Sequence, residues 1–585
     1  MKFKNYLYII FYIYCNIAIG QNRASIQAEM EETIPKEKAY IEVNSEIILA
    51  GETLYYKLFC LFQDNNMLSS VSKIAYVELI DKKTNSLFKH KLRLVNGLAY
   101  GDFFIPPSLS TGNYKIVGYT QWMNNNKKDR FFLKDIYIIN PYIPKVDNLS
   151  DSEESVINIK LSDKDLSFSN LSQSEVLKTD SKIYKTRSKV NLNLNNLNNA
   201  SIYGNYTLSV KKVDRLNVDS KVAKNSIKNE NISLGEGFYL PELRGEIISG
   251  KVIFKKDNSP LVDKIIALSI PDKIYVYKNV QTDASGNFIF NLGKNYTSTT
   301  CFLQVLDSKQ DDYKIVLDDK SFKYRKELKF HKILLNSNIE EWLLNESVSN
   351  QIENAFNASK LDSTITQIPN SVFFASPTVT YRLDDYKRFP TLKETFVEVV
   401  EGAAIRKKKD TYNFKVFFYE GYINYPFAKH EPLVLLDGVF IQDKQYLIDY
   451  DPYKIEKVSL LKGSYFYGPK IYNGIIDIRT KKAAFLSDVT LELKEVYTLK
   501  LDAFQDEKIY YSPNYGDHHK KELKRIPDFR RQLLWMPEIT LNQSSKQIEF
   551  YTSDAEGIYE IVLKGYNNSG NYLAETSYFK VVNND

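Results

Sequence analysis

The side chains of this chain that could do metal chemistry are few and scattered. Its five histidines show none of the spacings typical of zinc sites, because no H-E-x-x-H, C-x-x-C or alternating H-x-H pattern occurs. The one local cluster is Asp517-His518-His519, in the hydrophilic segment NYGDHHKKELK. We interpret it as a solvated turn, since no second pair of ligands lies nearby. We therefore predict no metal and no cofactor, and an enzymatic role resting on His518 and His519 is only a third alternative.

Nucleophile and nucleotide motifs are missing from the sequence too. It contains no G-x-S-x-G elbow, no Walker loop and no dinucleotide-binding glycine-rich turn. Cys60 and Cys301 lie in apolar, strand-like surroundings in separate predicted domains, so we expect two buried small hydrophobes rather than a disulfide. These patterns favour a protein that is not an enzyme.

The first twenty residues have the pattern of a secretory signal peptide. Lys2 and Lys4 precede an apolar run, Tyr6 to Ile19, and Ala18-Ile19-Gly20 supplies the small residues needed for cleavage. A membrane anchor is the alternative, but the run is shorter than the ~20 residues that span a bilayer. Lipidation of Cys15 is a further alternative, although the residues before it match a lipoprotein signal poorly. We expect export, with a signal peptide at 1–20.

Composition favours a folded chain rich in β-structure. Of the 585 residues 43% are hydrophobic and 14% aromatic, including 43 Tyr and 33 Phe, and such residues suit pleated, half-buried surfaces. The length predicts several domains. The formal net charge of +6 is not concentrated in a basic stripe, which argues against nucleic-acid binding.

The segment 38–141 alternates strands and turns throughout. Its Gly51-Glu52, Gly101-Asp102-Phe103, Gly112-Asn113-Tyr114 and the stretch Tyr119 to Met123 resemble the macroglobulin-type β-sandwich found in α2-macroglobulins and in many secreted proteins of the Bacteroidetes. We predict that Trp122 lies in its core. The thioester motif G-C-x-E-Q is missing, so the resemblance does not imply covalent trapping of proteases.

Further β-modules are predicted along the chain. Strand patterns predict a second β-sandwich at 142–240 and a C-terminal β-sandwich at 520–585. Within 241–335, the string Thr282-Asp283-x-x-Gly286-Asn287-Phe288 resembles a hairpin of carboxypeptidase regulatory-like domains.

A helical connector is predicted at 340–372. Its apolar residues recur at helical spacing and predict a stripe that faces a core. These residues are Trp342, Leu343, Val348, Ile352 and Phe356.

The segments 432–441 and 454–482 carry the most specific pattern in the chain. An apolar strand enters an Asp-Gly turn, and Lys-Gly, Tyr-Gly and Asn-Gly pairs follow around two further strands. The residues are Asp437, Gly438, Lys462, Gly463, Tyr467, Gly468, Asn473 and Gly474. The pattern resembles the plug domain of TonB-dependent outer-membrane receptors and implies a mixed α/β domain at 375–482. The fold class expected is therefore mainly β, with tandem immunoglobulin/macroglobulin-like β-sandwiches and one α/β plug-like domain.

The resemblance implies a partner. A plug normally closes the pore of its own barrel, but the residues after Lys482 do not read as the alternating ten-residue strands of a membrane barrel. The leader also resembles no TonB box. We therefore predict a non-catalytic, periplasmic, outer-membrane-associated accessory subunit whose plug-like domain docks on a separate barrel, as in a type IX translocon, an assembly machine or a nutrient importer.

Two questions stay open at this point. The alternative function is an adhesin-like or scaffold β-module protein of the cell envelope. Candidate partner contacts are the aromatic residues Tyr465, Phe466 and Tyr472, for which packing inside the plug-like domain is an equally good interpretation.

Overall fold

The chain forms two compact units, each assembled from separate stretches of sequence. In the computed structural model, unit 1 comprises Met1–Leu243, Phe322–Thr366 and Gln505–Asp585, and unit 2 comprises Arg244–Ser321 and Gln367–Phe504. The structure describes residues 29–126, 130–143, 156–162, 168–195, 199–218, 238–272, 274–293, 296–307, 310–320, 328–365, 373–374, 376–408, 411–417, 430–481, 496–516, 525–543 and 546–583. Strands dominate both units, so the mainly β, multidomain fold class is confirmed. Among these residues, we find no helix with the length and apolar character that a membrane crossing requires.

The first module of unit 1 is a two-sheet β-sandwich. One sheet has the order β1-β3-β6 and the other β2-β8-β7-β4-β5. Its strands are β1 (Glu37–Val43), β2 (Ile47–Leu49), β3 (Thr53–Phe62), β4 (Ile74–Ile80), β5 (Ser86–Arg93), β6 (Leu98–Phe104), β7 (Gly112–Tyr119) and β8 (Phe132–Ile139). Trp122 is buried and donates its indole N–H to the Pro35 carbonyl at 3.0 Å, as predicted.

The second module of unit 1 is built from two distant stretches of sequence. Its strands are β10 (Leu177–Thr179), β11 (Ile183–Lys185), β12 (Lys189–Leu194), β13 (Gly204–Lys212), β32 (Gln532–Leu541), β33 (Lys546–Tyr551), β34 (Gly557–Asn567) and β35 (Tyr572–Val582). The sheets run β10-β12-β33 and β11-β35-β34-β13-β32. The prediction of independent sandwiches at 142–240 and 520–585 was therefore wrong. Each stretch supplies only part of the strands, and both contribute side chains such as Leu192, Tyr206, Ile561 and Phe579 to one core.

Smaller elements complete unit 1. Strands β14 (Leu216–Val218), β9 (Val156–Leu161) and β21 (Lys332–Leu335) form a sheet in that order, and β22 (Ser363–Ile365) pairs with β31 (Glu507–Ile509). Because β21 pairs with β9, the regulatory-like module predicted at 241–335 ends before β21.

The predicted helical connector is helix α1 (Glu340–Ala355), and its orientation differs from the prediction. Only Trp342 and Leu343 pack against a core. Val348 is 48% exposed, Phe356 is 37% exposed, and the buried helical residues are Glu346 and Ser347. The prediction of a core-facing apolar stripe was therefore wrong for most of the helix, because its polar face makes the contacts described below.

Unit 2 begins with a β-sandwich. Its strands are β15 (Ile247–Phe254), β16 (Ile265–Ile270), β17 (Val276–Gln281), β18 (Asn287–Asn291), β19 (Thr300–Val305), β20 (Tyr313–Leu317) and the later β30 (Tyr497–Lys500). The two sheets are β18-β15-β20 and β17-β16-β19-β30. In the predicted hairpin, the Asp283 carboxylate accepts the backbone N–H groups of Ser285 and Asn287, and Gly286 has a φ of +72°.

The rest of unit 2 is the mixed α/β module that the sequence predicted. Its elements are β23 (Val379–Arg382), α2 (Leu392–Glu398), β24 (Ala403–Lys408), β25 (Thr411–Val416), β26 (Leu433–Leu436), β27 (Val439–Phe440), α3 (Lys444–Asp449), β28 (Ile455–Tyr467) and β29 (Lys470–Thr480). The main sheet has the order β23-β28-β29-β26-β27, with β26 parallel to β29. Strands β24 and β25 form a separate hairpin. The Thr391 hydroxyl caps α2 by accepting the Glu394 N–H, and Leu392 and Phe396 turn into the core.

Candidate functional site

Asp437 and Gly438 form the tight turn between β26 and β27. Their φ angles are +47° and +85°, a pairing typical of the turns that Asp-Gly favours in hairpins. The buried Asp437 carboxylate accepts the backbone N–H of Thr480 at 2.8 Å and also the Thr480 hydroxyl. This aspartate therefore fastens the turn to the end of β29.

The motif turns also join the α/β module to the β-sandwich of unit 2. A Cβ on Gly438 would lie 2.3 Å from the Tyr275 side chain, and one on Gly468 would lie 2.1 Å from the Asn279 Oδ1. The Tyr467 hydroxyl donates to the Tyr277 carbonyl at 2.7 Å. Glycine is required at these two turns because a side chain would separate the modules.

The remaining motif residues shape β28 and β29. Gly463 has a φ of +107° where the pairing of β28 with β29 shifts register, as at a β-bulge. Beside it, the Lys462 backbone N–H donates to the Thr378 hydroxyl.

The Asn-Gly pair of the motif lies in β29. The Asn473 N–H donates to the Glu431 carbonyl, and a Cβ on Gly474 would lie 2.8 Å from the Leu461 carbonyl oxygen. All of these motif residues have structural roles.

The aromatic cluster proposed as a partner contact is mostly internal. Tyr472 is only 1% exposed, and its hydroxyl lies 2.7 Å from that of Tyr277. Tyr465 is half-buried and donates to the Phe373 carbonyl. Burial raises the pKa of Tyr472. Packing, the alternative that the sequence left open, is thus the role of Tyr465 and Tyr472.

Phe466 differs from its two neighbours. It is 64% exposed, because successive residues of a strand point to opposite faces. Other large apolar side chains of the module are also exposed: Tyr386, Val397, Phe417 and Tyr453. Exposed basic side chains lie on the β24–β25 hairpin, at Arg406, Lys407 and Lys415. These side chains are exposed at several places on the described part of the α/β module.

The histidines and cysteines that the structure describes are buried or engaged. The His90 Nδ1 lies 2.6 Å from the Tyr56 hydroxyl, and burial lowers the pKa of His90 to about 4. Cys60 and Cys301 are buried, as predicted, and burial raises the pKa of both thiols. No group of three or more His, Cys, Asp or Glu among the described residues is arranged to hold a metal ion. His518 and His519 lie outside the described residues.

Sequence reasoning missed a partly buried charge network in unit 1. Arg531 pairs with Glu52 at 3.2 Å, with Glu346 of α1 at 3.5 Å, and with Asp214. Burial alone would raise the pKa of Asp214, but Lys211 and Arg531 outweigh it and lower that pKa. The only signal in the sequence was a pair of adjacent arginines before an alternating strand.

The neighbouring Arg530 extends this network. It forms a bidentate pair with Asp528 at 2.7 and 2.8 Å, and Glu353 of α1 accepts the Phe529 N–H at 2.8 Å. Both arginines line a cleft of about 410 Å³, together with Glu52, Asp214 and Glu353. Because the charges of both arginines are matched by carboxylates, the arrangement acts as a clamp that holds α1 to the segment before β32.

Comparisons with known proteins give no family assignment. No protein-family model matches the chain, and no curated protein matches its sequence. Among solved structures, Escherichia coli α2-macroglobulin activated by porcine elastase is 10% identical with a TM-score of 0.24, over 94% of this chain and 44% of that one. The Yersinia pseudotuberculosis adhesin InvE is 11% identical with a TM-score of 0.13, over 48% and 57%. Dimeric latent PorU from Porphyromonas gingivalis is 10% identical with a TM-score of 0.16, over 52% and 34%.

These likenesses carry no argument about function at such TM-scores. The chain spans less than half the length of the E. coli α2-macroglobulin that it matches. The fold assignment rests instead on the chain's own strand pairing.

Proposed function

We propose that the chain is a non-catalytic accessory subunit of an outer-membrane barrel complex, exported to the periplasm, in which unit 2 docks on or gates a separate barrel. The observation that supports this is the position of the plug-type motif. Its glycines fall where the backbone must adopt positive φ or where modules meet closely, as at Gly438 and Gly468. The residues that resemble the plug domain of TonB-dependent receptors are therefore residues on which the fold of the α/β module depends.

Exposed apolar side chains of that module are the candidate partner contacts. Val397 and Phe466 are 73% and 64% exposed, and the cores of protein interfaces are more apolar than the surrounding surface and enriched in aromatic side chains. We assign the contact to these residues rather than to the internal Tyr465 and Tyr472.

Site-specific photocrosslinking in the native cell envelope tests this proposal. A photoreactive phenylalanine at Phe466 or Val397 should crosslink to a barrel protein, identified by mass spectrometry. The matched control is the same probe at Ile183, which is exposed on unit 1 and should give no barrel adduct. The proposal fails if Phe466 and Val397 yield no barrel, or if Ile183 yields the same adduct.

An adhesin-like or scaffold β-module of the cell surface is the second candidate. The tandem sandwiches of unit 1 favour it, because such modules serve as spacers and binding surfaces without catalytic groups. Protease treatment of intact cells separates the two candidates. A periplasmic subunit stays intact, whereas a surface adhesin is degraded.

A further inference from the structure

The cleft beside Arg531 in unit 1 has a volume of about 410 Å³, a size typical of sites for small molecules. Its walls come mainly from the turn between β2 and β3, the C-terminal half of α1 with the residues that follow it, the end of β13 and the segment before β32. We infer that this cleft binds a linear aliphatic diamine, with one ammonium group near Asp362 and the other near Glu52. The inference concerns unit 1 alone and does not depend on the proposed docking of unit 2.

Carboxylates outnumber cations in two groups of ion pairs at the cleft, counted over the residues that the structure describes. At one end, Asp362 and Asp102 share Lys508, at 3.9 and 3.0 Å. At the other end, four carboxylates share three cations. These are Glu52, Asp214, Glu346 and Glu560 with Lys211, Lys212 and Arg531. Each group therefore carries one net negative charge, which one ammonium would neutralise.

The carboxylates of the lining are accessible to a ligand. The side chains of Glu52 and Asp214 are 22% and 25% exposed, whereas that of Arg531, which pairs with both, is 14% exposed. The Asp362 side chain is 29% exposed. Burial raises the pKa of Glu52 and of Asp362, and a bound ammonium would offset that cost of burial. Because an ionised carboxylate only accepts hydrogen bonds, these groups favour a cationic donor.

Strand pairing sets the spacing of the two negative groups. Asp102 lies opposite Tyr55 in the register of β3 with β6, and Glu52 precedes that tyrosine by three positions. At ~3.4 Å per residue, the two groups are about 10 Å apart along the strand. Phe104 and Leu361 also line the cleft and are 41% and 73% exposed. They offer apolar contacts to the alkyl chain of a diamine.

Isothermal titration calorimetry of the full-length protein with putrescine, cadaverine and hexamethylenediamine tests this site. We expect at least one diamine to bind saturably and about tenfold more tightly than butylamine, because butylamine can neutralise only one of the two groups. Butanediol, which has an alkyl chain but no charge, should give no saturable heat. This comparison uses the wild-type protein alone.

Asp362→Asn is the decisive variant, because it removes the charge but keeps an oxygen that can accept the Tyr511 backbone N–H. It should weaken diamine binding about tenfold, to the level of butylamine. The matched control is Glu175→Gln, which removes a carboxylate with an 84% exposed side chain elsewhere on unit 1. It should leave diamine binding unchanged.

Four results would overturn the inference of a diamine site. They are the absence of saturable binding by any diamine, butylamine binding as tight as that of the diamines, magnesium ion binding more tightly than the diamines, and wild-type affinity in Asp362→Asn shown to be folded by circular dichroism. Should that variant not fold, the comparison of diamines with butylamine on the wild-type protein decides the question.

Discussion

Lys57 of β3 is a fully buried cation whose titration should affect folding. Its Nζ donates to the Tyr206 carbonyl at 3.0 Å and lies 4.6 Å from the centroid of the Phe59 ring. Burial lowers its pKa to about 7, with Glu538 only partly opposing the shift. In the unfolded chain the same lysine has a pKa of about 10.4. Between these values the unfolded state binds more protons than the folded state, so the free energy of unfolding should rise as pH rises from 7 to 10.

Lys57→Met should abolish this pH dependence. Below pH 7 we expect the variant to be more stable than the wild type by about 1–3 kcal/mol, because a buried charge is replaced by an apolar side chain. The difference should shrink towards pH 10. Denaturant unfolding of both proteins across this range measures it, with the exposed Lys182→Met as the control. Parallel stability curves for wild type and Lys57→Met would show that Lys57 does not titrate as described.

Gly438 makes a second prediction at the residue scale. Gly438→Ala should destabilise unit 2 by about 2–4 kcal/mol, because it combines a positive φ with a clash at 2.3 Å against Tyr275. Gly293→Ala is the matched control. Gly293 also has a positive φ, of +77°, but a Cβ there would have its nearest neighbour at 4.0 Å. Equal losses of stability in the two variants would mean that the packing of the turn against Tyr275 contributes nothing.

Among the secondary structure elements, helix α1 makes contacts through its polar side chains and exposes several of its apolar ones. Asn350 and Asn354 donate to the carbonyls of Ala50 and Gly51 at 3.0 and 2.9 Å, while Leu344 and Val348 are exposed. We therefore expect Asn350→Ala with Asn354→Ala to cost about 1–3 kcal/mol. Leu344→Gln with Val348→Gln should change stability by less than ~0.5 kcal/mol per site. Denaturant unfolding of the two double variants measures both changes. A larger loss of stability from the Leu344 and Val348 substitutions would mean that these apolar side chains, and not the asparagines, hold the helix in place.

What the sequence could predict depends on how local the cause is. Alternating strands, the burial of Trp122 and the Asp437-Gly438 turn follow from neighbouring residues, and each was predicted. Which strand pairs with which could not be predicted in the same way. Lys189 pairs with Tyr551 and Lys332 pairs with Val156, and no local pattern encodes such distant pairings. The ion pairs of Arg531 could not be predicted from the sequence either, because their carboxylates come from three separate stretches of the chain.

At the scale of the whole molecule, each unit has hydrophobic cores of its own and, among its described residues, one buried free cysteine. Cys60 lies in β3 of unit 1 and Cys301 in β19 of unit 2, both without solvent exposure. Because burial disfavours the reactive thiolate, each should resist alkylation until its own unit unfolds. Units with separate cores commonly unfold as separate cooperative transitions. We therefore expect pulsed alkylation along a denaturant series, read peptide by peptide with mass spectrometry, to give different midpoints for the two cysteines.

The wild-type midpoints of Cys60 and Cys301 could coincide even if the two units unfold separately. The Gly438→Ala variant distinguishes this case from a single cooperative transition. It should move the Cys301 transition to lower denaturant and leave the Cys60 transition in place, because Gly438 and its neighbour Tyr275 both belong to unit 2. Lys57→Met should do the converse at pH 6, raising the Cys60 midpoint alone. If either substitution moved both transitions together, the two units would unfold as one cooperative body, and a partner bound to unit 2 would then stabilise the sandwiches of unit 1 as well.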